Sequence, residues 1–235
     1  SRWCVVGWQD PDIHDIERSS PMPTDLTINM ACQVIAVRRW KLTFRDVRKA
    51  FGQSMPSNRR RKLACRQPRT GPFPTCTDSR QLILLNTEVY GLVSGPAWWR
   101  ITFVERFVKE KYTVNRLDPC ALDLPGDTHA FDHILTDGIA VLEMDDVCEG
   151  GGAKHQAAMA RIAKVVDFGK SRCCYRDNEG TLFNGRRWRQ DVEYNVLHSM
   201  KEYIAERLHE VDVPKKNPKQ AKQLPNKSSA SSQDL

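Results

Sequence analysis

Apolar and polar positions follow two patterns along the chain, one typical of helices and one typical of strands. Helical spacing predicts helices over 24–38, 95–112, 155–166 and 193–211. Strand-like runs cover 1–9, 41–47, 121–124 and 138–144, and Val147 begins a return strand that the glycines at 150–152 end. The segment 170–187 is typical of a second hairpin, turning around 178–180. Helices and strands mix without regular alternation, which favours an α+β fold over a doubly wound sheet.

Composition indicates a folded domain with a basic surface. The chain has 235 residues, 40% of them hydrophobic, which is enough for one domain with a packed core. The net charge of +7 favours a polyanion such as nucleic acid, or an anionic membrane. From Pro214 onward five Lys against one Asp supply +4 of that charge, and this composition predicts a disordered basic tail over 211–235. The alternative is a soluble protein whose basic excess is its tail.

Cysteine spacing and the lack of targeting signals narrow the class of protein. The eight Cys form no CxxC pair, so neither a zinc site nor a small disulfide framework is predicted, and reduced thiols are expected. His129 and His133 stand four residues apart, but no helical periodicity supports a metal site there. No apolar run reaches the roughly 18 residues of a membrane span, and no signal peptide opens the chain. We therefore expect an intracellular protein, cytoplasmic or nuclear and not secreted, that does not bind a membrane.

Asp145 and Asp146 follow the apolar run GIAVLEM and raise the question of a metal site. The 18 Asp among 235 residues predict roughly one adjacent pair by chance, and Asp also favours hairpin turns, so the pair alone decides nothing. Asp46, at the end of the predicted strand 41–47, offers a third carboxylate. Three carboxylates suit two Mg²⁺ ions, which can hold the attacking and leaving oxygens of a phosphoryl transfer. This hypothesis requires the three carboxyl groups to converge within reach of one ion pair.

The segment NRRRKLACRQPR, residues 58–69, carries six cations and no acid. Arginine and lysine contacts position a nucleic-acid backbone without reading its sequence, so this loop is a candidate nucleic-acid interface. A solvated basic loop is the equally weighted alternative. The candidate nucleic-acid-binding residues are Arg59, Arg60, Arg61, Lys62 and Arg66.

Five blocks of the sequence resemble, in order, those of the reverse transcriptases of copia-type LTR retrotransposons. They are SRWCVVGWQDPD, FRDVRKAFGQS, VYGLVSGPAWW, RLDPCALDL and VLEMDDVCEGG. Single blocks are weak, whereas five in this order and at these distances are specific. The likeness covers about residues 1–210. It implies a right-hand polymerase fold, with fingers, palm and a partial thumb near the C-terminal end of that range, and RNA-directed DNA polymerase activity.

The resemblance also implies roles for individual residues. Asp46, Asp145 and Asp146, with the backbone carbonyl of Val47, match the ligands of two Mg²⁺ ions, for which Mn²⁺ is a possible substitute. Phe51 matches the aromatic residue that blocks a ribose 2′-OH, although an ordinary core Phe is its alternative role. The residues that match the nucleotide site are Arg2, Phe51, Tyr90, Gly91, Leu92 and Pro96.

The implied partners are a primed RNA or DNA template and dNTPs. In a full-length element, other Pol polyprotein domains, such as ribonuclease H and integrase, join them. A different Mg²⁺ phosphotransferase or nuclease that uses the same acids is a further alternative.

Several positions depart from the family pattern. Glu143 stands where the family has Tyr and adds negative charge beside the aspartate pair. Val6 stands where a second basic fingers residue is expected, and Val93 and Gly95 replace a Lys-Gln pair. These departures keep a second hypothesis open, namely a catalytically inactive retroelement remnant that binds nucleic acid.

Overall fold

The computed structural model describes residues 4–67, 78, 80–126 and 136–208. Arg2, the two histidines at 129 and 133, and the predicted tail lie outside these residues. The helices are α1 (Asp25–Val37), α2 (Gly95–Lys109), α3 (Ala153–Ile162) and α4 (Lys201–Arg207). The strands are β1 (Thr43–Val47), β2 (Leu63–Cys65), β3 (Ile83–Leu85), β4 (Thr113–Val114), β5 (Ala121–Pro125), β6 (Thr136–Glu143), β7 (Asp146–Gly151), β8 (Phe168–Cys173), β9 (Thr181–Phe183), β10 (Arg186–Gln190) and β11 (Val196–Ser199).

A six-stranded antiparallel sheet forms the centre of the fold. Its strand order is β4-β5-β6-β7-β1-β8. The succession β1–α2–β6–β7–α3–β8 places β1 between β7 and β8, which is the split βαβ arrangement of two interleaved units. Smaller antiparallel sheets, β11-β10-β9 and β2-β3, accompany it. The structure is thus a mixture of helices and antiparallel sheets, and the right-hand polymerase fold stays a prediction.

Helices α2 and α3 cover one face of the central sheet. Trp99 and Phe103 of α2 and Ile162 of α3 are buried against Leu142 and Val147 of the β6–β7 hairpin. Burying side chains of this size contributes about 1.5–3 kcal/mol each. This apolar cluster packs the β6–β7 hairpin against α2 and α3.

The opposite face is covered by α1 and by the small sheet β11-β10-β9. Phe44 of β1 stacks on Phe183 of β9 with ring centroids 4.4 Å apart, and both join a cluster with Cys148 of β7. Side chains alternate along a strand, so Asp46 and Asp146, each two residues from Phe44 and Cys148, project on this same face. The two aspartates therefore lie on the side away from α2 and α3.

Helix α1 shows how the local sequence sets an element. The hydroxyl of Thr24 accepts the N–H of Thr27 at 3.1 Å and caps the helix. Its buried positions recur at helical spacing, which confirms the helix predicted over 24–38: Ile28, Ala31, Cys32 and Ile35. The predictions of helices over 95–112 and 155–166 are also confirmed, although α2 ends earlier, at Lys109, and α3 both begins and ends earlier, at Ala153 and Ile162. No described helix has both the length and the apolar composition needed to cross a membrane.

Three predicted elements are wrong. In the described part of the strand predicted over 1–9, residues 4–6 form no strand and Gly7–Gln9 forms a 3₁₀ turn. The hairpin predicted over 170–187, with its turn at 178–180, does not form. The start of this segment belongs to β8, which pairs with β1, and the hairpin turn lies between β9 and β10. Asn184 and Gly185 form that turn with φ angles of 48° and 68°, values that favour an Asn-Gly pair. The helix predicted over 193–211 is shorter, because Val196–Ser199 pairs with β10 before α4 begins.

Candidate active site

Asp46 and Asp146 stand directly opposite each other on the antiparallel strands β1 and β7. Both are half-buried. Residues in such register have Cβ atoms about 4.5–5.5 Å apart and share one face of the sheet. Two of the three predicted catalytic carboxylates are thus adjacent at one end of the central sheet.

The hairpin tip, Met144 and Asp145, is held by two hydrogen bonds. The N–H of Val47 donates to the Asp145 carbonyl at 2.7 Å, and the indole N–H of Trp99 donates to the Met144 carbonyl at 2.8 Å. Met144 has φ of 55°, a strained value for a residue with a side chain. These bonds attach the tip to β1 and α2. Val47 itself is buried, and its predicted role as a carbonyl ligand stays a prediction.

Replacing Trp99 by Phe should loosen this tip. The Trp99→Phe variant leaves the Met144 carbonyl without its indole donor, so we expect a loss of about 1–3 kcal/mol in the free energy of unfolding. Hydrogen exchange at Val47 should also become faster. Trp98→Phe is the matched control, because Trp98 donates to the Met55 carbonyl at 3.0 Å, away from the tip. Equal exchange rates at Val47 in the two variants would contradict this role of Trp99.

A bulge beside Asp46 makes room for its carboxylate. The pairing of β1 with β8 shifts register between Arg45 and Val47, so Asp46 faces both Gly169 and Lys170. A Cβ atom at Gly169 would lie 2.5 Å from Oδ2 of Asp46. Any side chain at position 169 would therefore force the Asp46 carboxylate to move.

A cavity of about 280 Å³ opens onto this aspartate pair. Lys170 and Arg172 of β8 supply positive charge, and Leu182 and Phe183 of β9 supply apolar surface. Such a wall can contact phosphate oxygens on one side and a sugar or base on the other. The sequence did not predict these contributions, because β8 and β9 meet the carboxylates only through long-range pairing. A larger cavity of about 670 Å³, lined in part by Asp12, Arg59 and Trp98, contains none of the predicted catalytic carboxylates.

A buried polar network ties the same strands to α3. Glu149 of β7 accepts the Nε–H of Arg45 at 2.9 Å and contacts Nε2 of His155. The Tyr112 hydroxyl hydrogen bonds Nδ1 of His155 at 2.8 Å. Glu149 and His155 are fully buried, so these mutual contacts satisfy groups that water cannot reach. The network fixes the backbone of β1 one residue away from Asp46.

The electrostatics of the pair favour a cation. Burial, followed by the charges of Asp145, Asp46 and Glu143, raises the pKa of Asp146 to about 6. Oxygen-rich, mutually repelling carboxylates are the donors that Mg²⁺ prefers, so the chemistry of this pair fits the ion. Within the described ranges, however, no three side chains of Asp, Glu, His or Cys are arranged to hold one metal ion. Asp46 and Asp146 are therefore adjacent, whereas a three-residue metal site that includes Asp145 is not found among the described residues.

Glu143 adds to the repulsion. It stands opposite Asp146 in the hairpin register, and its Oε2 is buried without a hydrogen-bond partner. Burial and the charge of Asp25 raise the pKa of Glu143, while Arg186 lowers it. Like charges directly opposite each other destabilise a sheet. The structure therefore places the acidic side chain of Glu143 next to Asp146, as the sequence order indicated.

The Asp146→Asn variant should be more thermostable than the wild type near neutral pH. The pKa of Asp146 in the folded protein, about 6, lies above its ordinary value of 3.8. Ionised Asp146 therefore destabilises the fold above pH 6, and this penalty fades as the pH falls towards 4. We expect Tm to rise by a few degrees in the variant at about pH 8, with little difference at about pH 3.5. Mg²⁺ should raise the Tm of the wild type more than that of the variant. Identical Tm values at both pH values would contradict this electrostatic account.

Of the predicted nucleotide-binding residues, those that the structure describes lie together around the start of α2, and Arg2 lies outside the described residues. The rings of Phe51 and Tyr90 contact each other with centroids 4.6 Å apart, and Phe51 also packs against the aromatic core. Gly91 has φ of 99°, and a Cβ atom there would lie 2.0 Å from the Val5 carbonyl oxygen. Leu92 is buried, and Pro96 lies in the first turn of α2. The contacts of Phe51 are compatible with a core residue, and nucleotide binding by this cluster stays a prediction.

Arg59 has a structural role that the sequence did not predict. Its side chain is only 7% exposed and forms ion pairs with Glu88 at 2.6 Å and with Asp10 at 2.8 Å. It also donates to the hydroxyl of Ser94 at 2.6 Å. These contacts occupy the guanidinium group and leave it unsuited to a nucleic-acid phosphate. The other predicted nucleic-acid-binding residues are exposed, and their nucleic-acid contacts stay a prediction: Arg60, Arg61, Lys62 and Arg66.

No protein-family model, curated protein or solved structure matches this chain. Functional assignment therefore rests on the residues themselves and on their geometry.

Proposed function

We propose that this chain is the RNA-directed DNA polymerase domain of a copia-type retrotransposon, which transfers a nucleotide from a dNTP to a primer 3′-OH. One observation carries the proposal: Asp46 and Asp146 are in direct register beside a hairpin tip that contains Asp145. The split βαβ sheet, with both helices behind these carboxylates, also supports it. The five ordered sequence blocks link this geometry to reverse transcription.

In the proposed mechanism, Asp46 and Asp146, together with Asp145, would hold the metal ions. Bound Mg²⁺ supplies charge neutralisation at the attacking and leaving oxygens of the phosphoryl transfer. The chain itself mostly orients groups. Lys170 and Arg172 attract phosphate oxygens of the nucleic acid, and the hydrogen bonds on the hairpin tip keep the carboxylates in place.

The proposal extends to the substrates and to the setting of the domain. The template is RNA or DNA with an annealed primer, and Phe51 beside Tyr90 selects dNTPs by excluding the ribose 2′-OH. Arg2 contacts the incoming triphosphate. The domain acts inside the cell, in the cytoplasm or nucleus, alongside other Pol polyprotein domains such as ribonuclease H and integrase.

The second candidate function is nucleic-acid binding by an inactive remnant. Glu143 directly opposite Asp146 favours it, because a third negative charge repels a primer phosphate.

Primer extension separates the two functions. The full chain is incubated with a DNA primer on an RNA template, dNTPs and Mg²⁺, and binding of the same primer–template is measured in parallel. Extension of the primer supports the polymerase. Salt-sensitive binding by folded protein, with no extension in Mg²⁺ or Mn²⁺, contradicts it and supports the remnant.

A further inference from the structure

A second cluster of functional side chains lies at the end of β1 remote from Asp46. We call it the aromatic–cation patch, and its members are Arg39, Lys41, Tyr175, Arg176 and Tyr194. A strand rises about 3.3 Å per residue, so Thr43 is roughly 10 Å from Asp46, and the patch lies beyond Thr43. Its three cations are exposed and its two tyrosines are half-exposed.

The side chains of the patch contact one another in a defined geometry. The rings of Tyr175 and Tyr194 stack with centroids 4.6 Å apart and planes 23° apart. Lys41 and Arg176 lie 5.7 and 5.2 Å from the centre of the Tyr175 ring. A hydrogen bond with Tyr175 raises the pKa of Tyr194, whereas the charges of Arg176 and Arg39 lower it. Aromatic faces and cations are thus concentrated on one exposed surface.

A single buried glutamine fixes the backbone that carries the patch. Gln190 is 1% exposed, and its Nε2 donates to the carbonyls of Trp40 at 2.9 Å and Tyr194 at 3.3 Å. Its Oε1 accepts the N–H of Leu42 at 2.9 Å, and its backbone carbonyl accepts the N–H of Arg176 at 2.8 Å. The side chain of Gln190 therefore ties 40–42 to Tyr194, and its backbone carbonyl adds Arg176, so one residue holds three segments in place before any ligand arrives.

Backbone strain is concentrated at the same place. Arg39, Arg176 and Tyr194 have φ angles of 53°, 60° and 70°. L-residues adopt this region at an energetic cost, and residues held there concentrate at ligand sites and switch regions. Three residues with positive φ surround one buried glutamine, and this concentration of strain is typical of a ligand site.

The cations of the patch are free to meet a ligand. Arg39, Lys41 and Arg176 form no ion pair with any residue that the structure describes. The neighbouring acid Asp191 is engaged within its own turn, where its carboxylate accepts the backbone N–H groups of Glu193 and Asn195. Asp177 likewise accepts the N–H of Glu179 at 3.1 Å. Glu193, beside Tyr194 in the sequence, is an exposed acid next to the patch.

We propose that the aromatic–cation patch binds single-stranded nucleic acid. An unpaired base stacks on Tyr194, and the adjoining phosphates contact Arg39, Lys41 and Arg176. Stacking on an aromatic face combined with backbone neutralisation is how sequence-tolerant single-strand sites work. The site is separate from the carboxylate pair, so it does not depend on polymerase activity.

Fluorescence anisotropy tests the patch with labelled oligo(dT) and oligo(U) of about 12 nucleotides, a length within the range that single-strand sites cover. Tyr194→Ala should weaken binding at least about five-fold, whereas Tyr194→Phe should retain it, because the phenyl ring still stacks. Each of Arg39→Ala, Lys41→Ala and Arg176→Ala should reduce the slope of log K against log salt by about 0.7. The two oligonucleotides distinguish a DNA ligand from an RNA ligand.

Matched controls come from the same chain. Tyr203 is another partly exposed tyrosine with a cation, Arg207, 5.5 Å from its ring centre, so Tyr203→Ala controls for loss of a surface tyrosine. Lys164→Ala controls for loss of an exposed charge. Photo-crosslinking of 5-iodouridine oligonucleotides should map to Tyr194.

Several results would overturn the proposal. One is equal weakening by Tyr203→Ala and Tyr194→Ala, and another is unchanged affinity in Tyr194→Ala. Equal binding of a duplex of the same length, or full competition by polyglutamate, would show that the surface recognises charge alone. Failure of primer extension leaves these binding results unaffected, so the two proposals fail separately.

Discussion

Replacing Asp46 or Asp146 by Asn should lower the rate of dNTP incorporation by roughly 10³-fold or more. The two carboxylates lie in register at the cavity beside β8, and each substitution removes one of the charges that would hold Mg²⁺ there. Asn keeps the shape of Asp, so the fold should survive, and Asp146→Asn should even gain stability. The loss would then reflect chemistry and not unfolding. The measurement is the initial rate of single-nucleotide addition, with circular dichroism to verify folding.

Asp123→Asn is the matched control for this loss. Asp123 is a half-buried aspartate of β5 in the same sheet, and its carboxylate accepts a hydrogen bond from the side-chain amide of Asn115. An asparagine at position 123 can accept the same bond through its amide oxygen. Its substitution should leave incorporation within about two-fold of wild type, the range of ordinary surface changes. If Asp46→Asn and Asp146→Asn behave like Asp123→Asn, the carboxylate pair is not the catalytic centre.

Replacing Arg59 by Ala should produce the largest loss of stability. The variant leaves Glu88 and Asp10 buried without their cation, and breaking a buried ion pair in this way costs about 3–5 kcal/mol. For a chain of this size, that corresponds to a fall in Tm of roughly 10 °C. Burial raises the pKa of Glu88, but hydrogen bonds from Arg59, Ser94 and Ser57 lower it by more. The pKa of Glu88 therefore lies below its ordinary value, and the ionised Glu88 in the folded protein depends on its contact with Arg59.

Arg60→Ala is the control for Arg59→Ala. Arg60 is the next residue in the same basic loop but is exposed, so its loss should change Tm by no more than about 1 °C. Adding Glu88→Gln to Arg59→Ala should recover part of the lost stability, because it removes one stranded charge. Equal effects of Arg59→Ala and Arg60→Ala would show that the buried network does not stabilise the fold.

The sequence correctly predicted those helices and strands, such as α1 and β1, whose signals lie within one short segment. The cap at Thr24 and the apolar spacing of α1 are contained in one short segment, as is the alternation of β1. The pairing of β8 with β1 joins residues far apart in the sequence. The sequence pattern therefore wrongly predicts a local hairpin over 170–187, which includes most of β8. The Asn184–Gly185 pair was the better turn signal, since both residues adopt positive φ.

The candidate site divides in the same way. The acidic residues Asp46 and Asp146 could be selected from the sequence, because carboxylates at strand ends have a recognisable chemistry. The burial of Arg59 could not, since five neighbouring cations made a solvated loop the natural expectation. Gly169 and Arg172 were missed as well, because only the bulge and the strand order bring β8 to the carboxylates.

The most direct test of the central claim is incorporation of dTTP on a poly(rA)/oligo(dT) primer–template, with wild type beside Asp145→Asn, first in Mg²⁺ and then in Mn²⁺. The account predicts Mg²⁺-dependent incorporation by the wild type and its loss in Asp145→Asn, whose carboxylate follows the strained Met144 at the hairpin tip. Incorporation retained in Asp145→Asn, or absent from well-folded wild type with both ions, would contradict it.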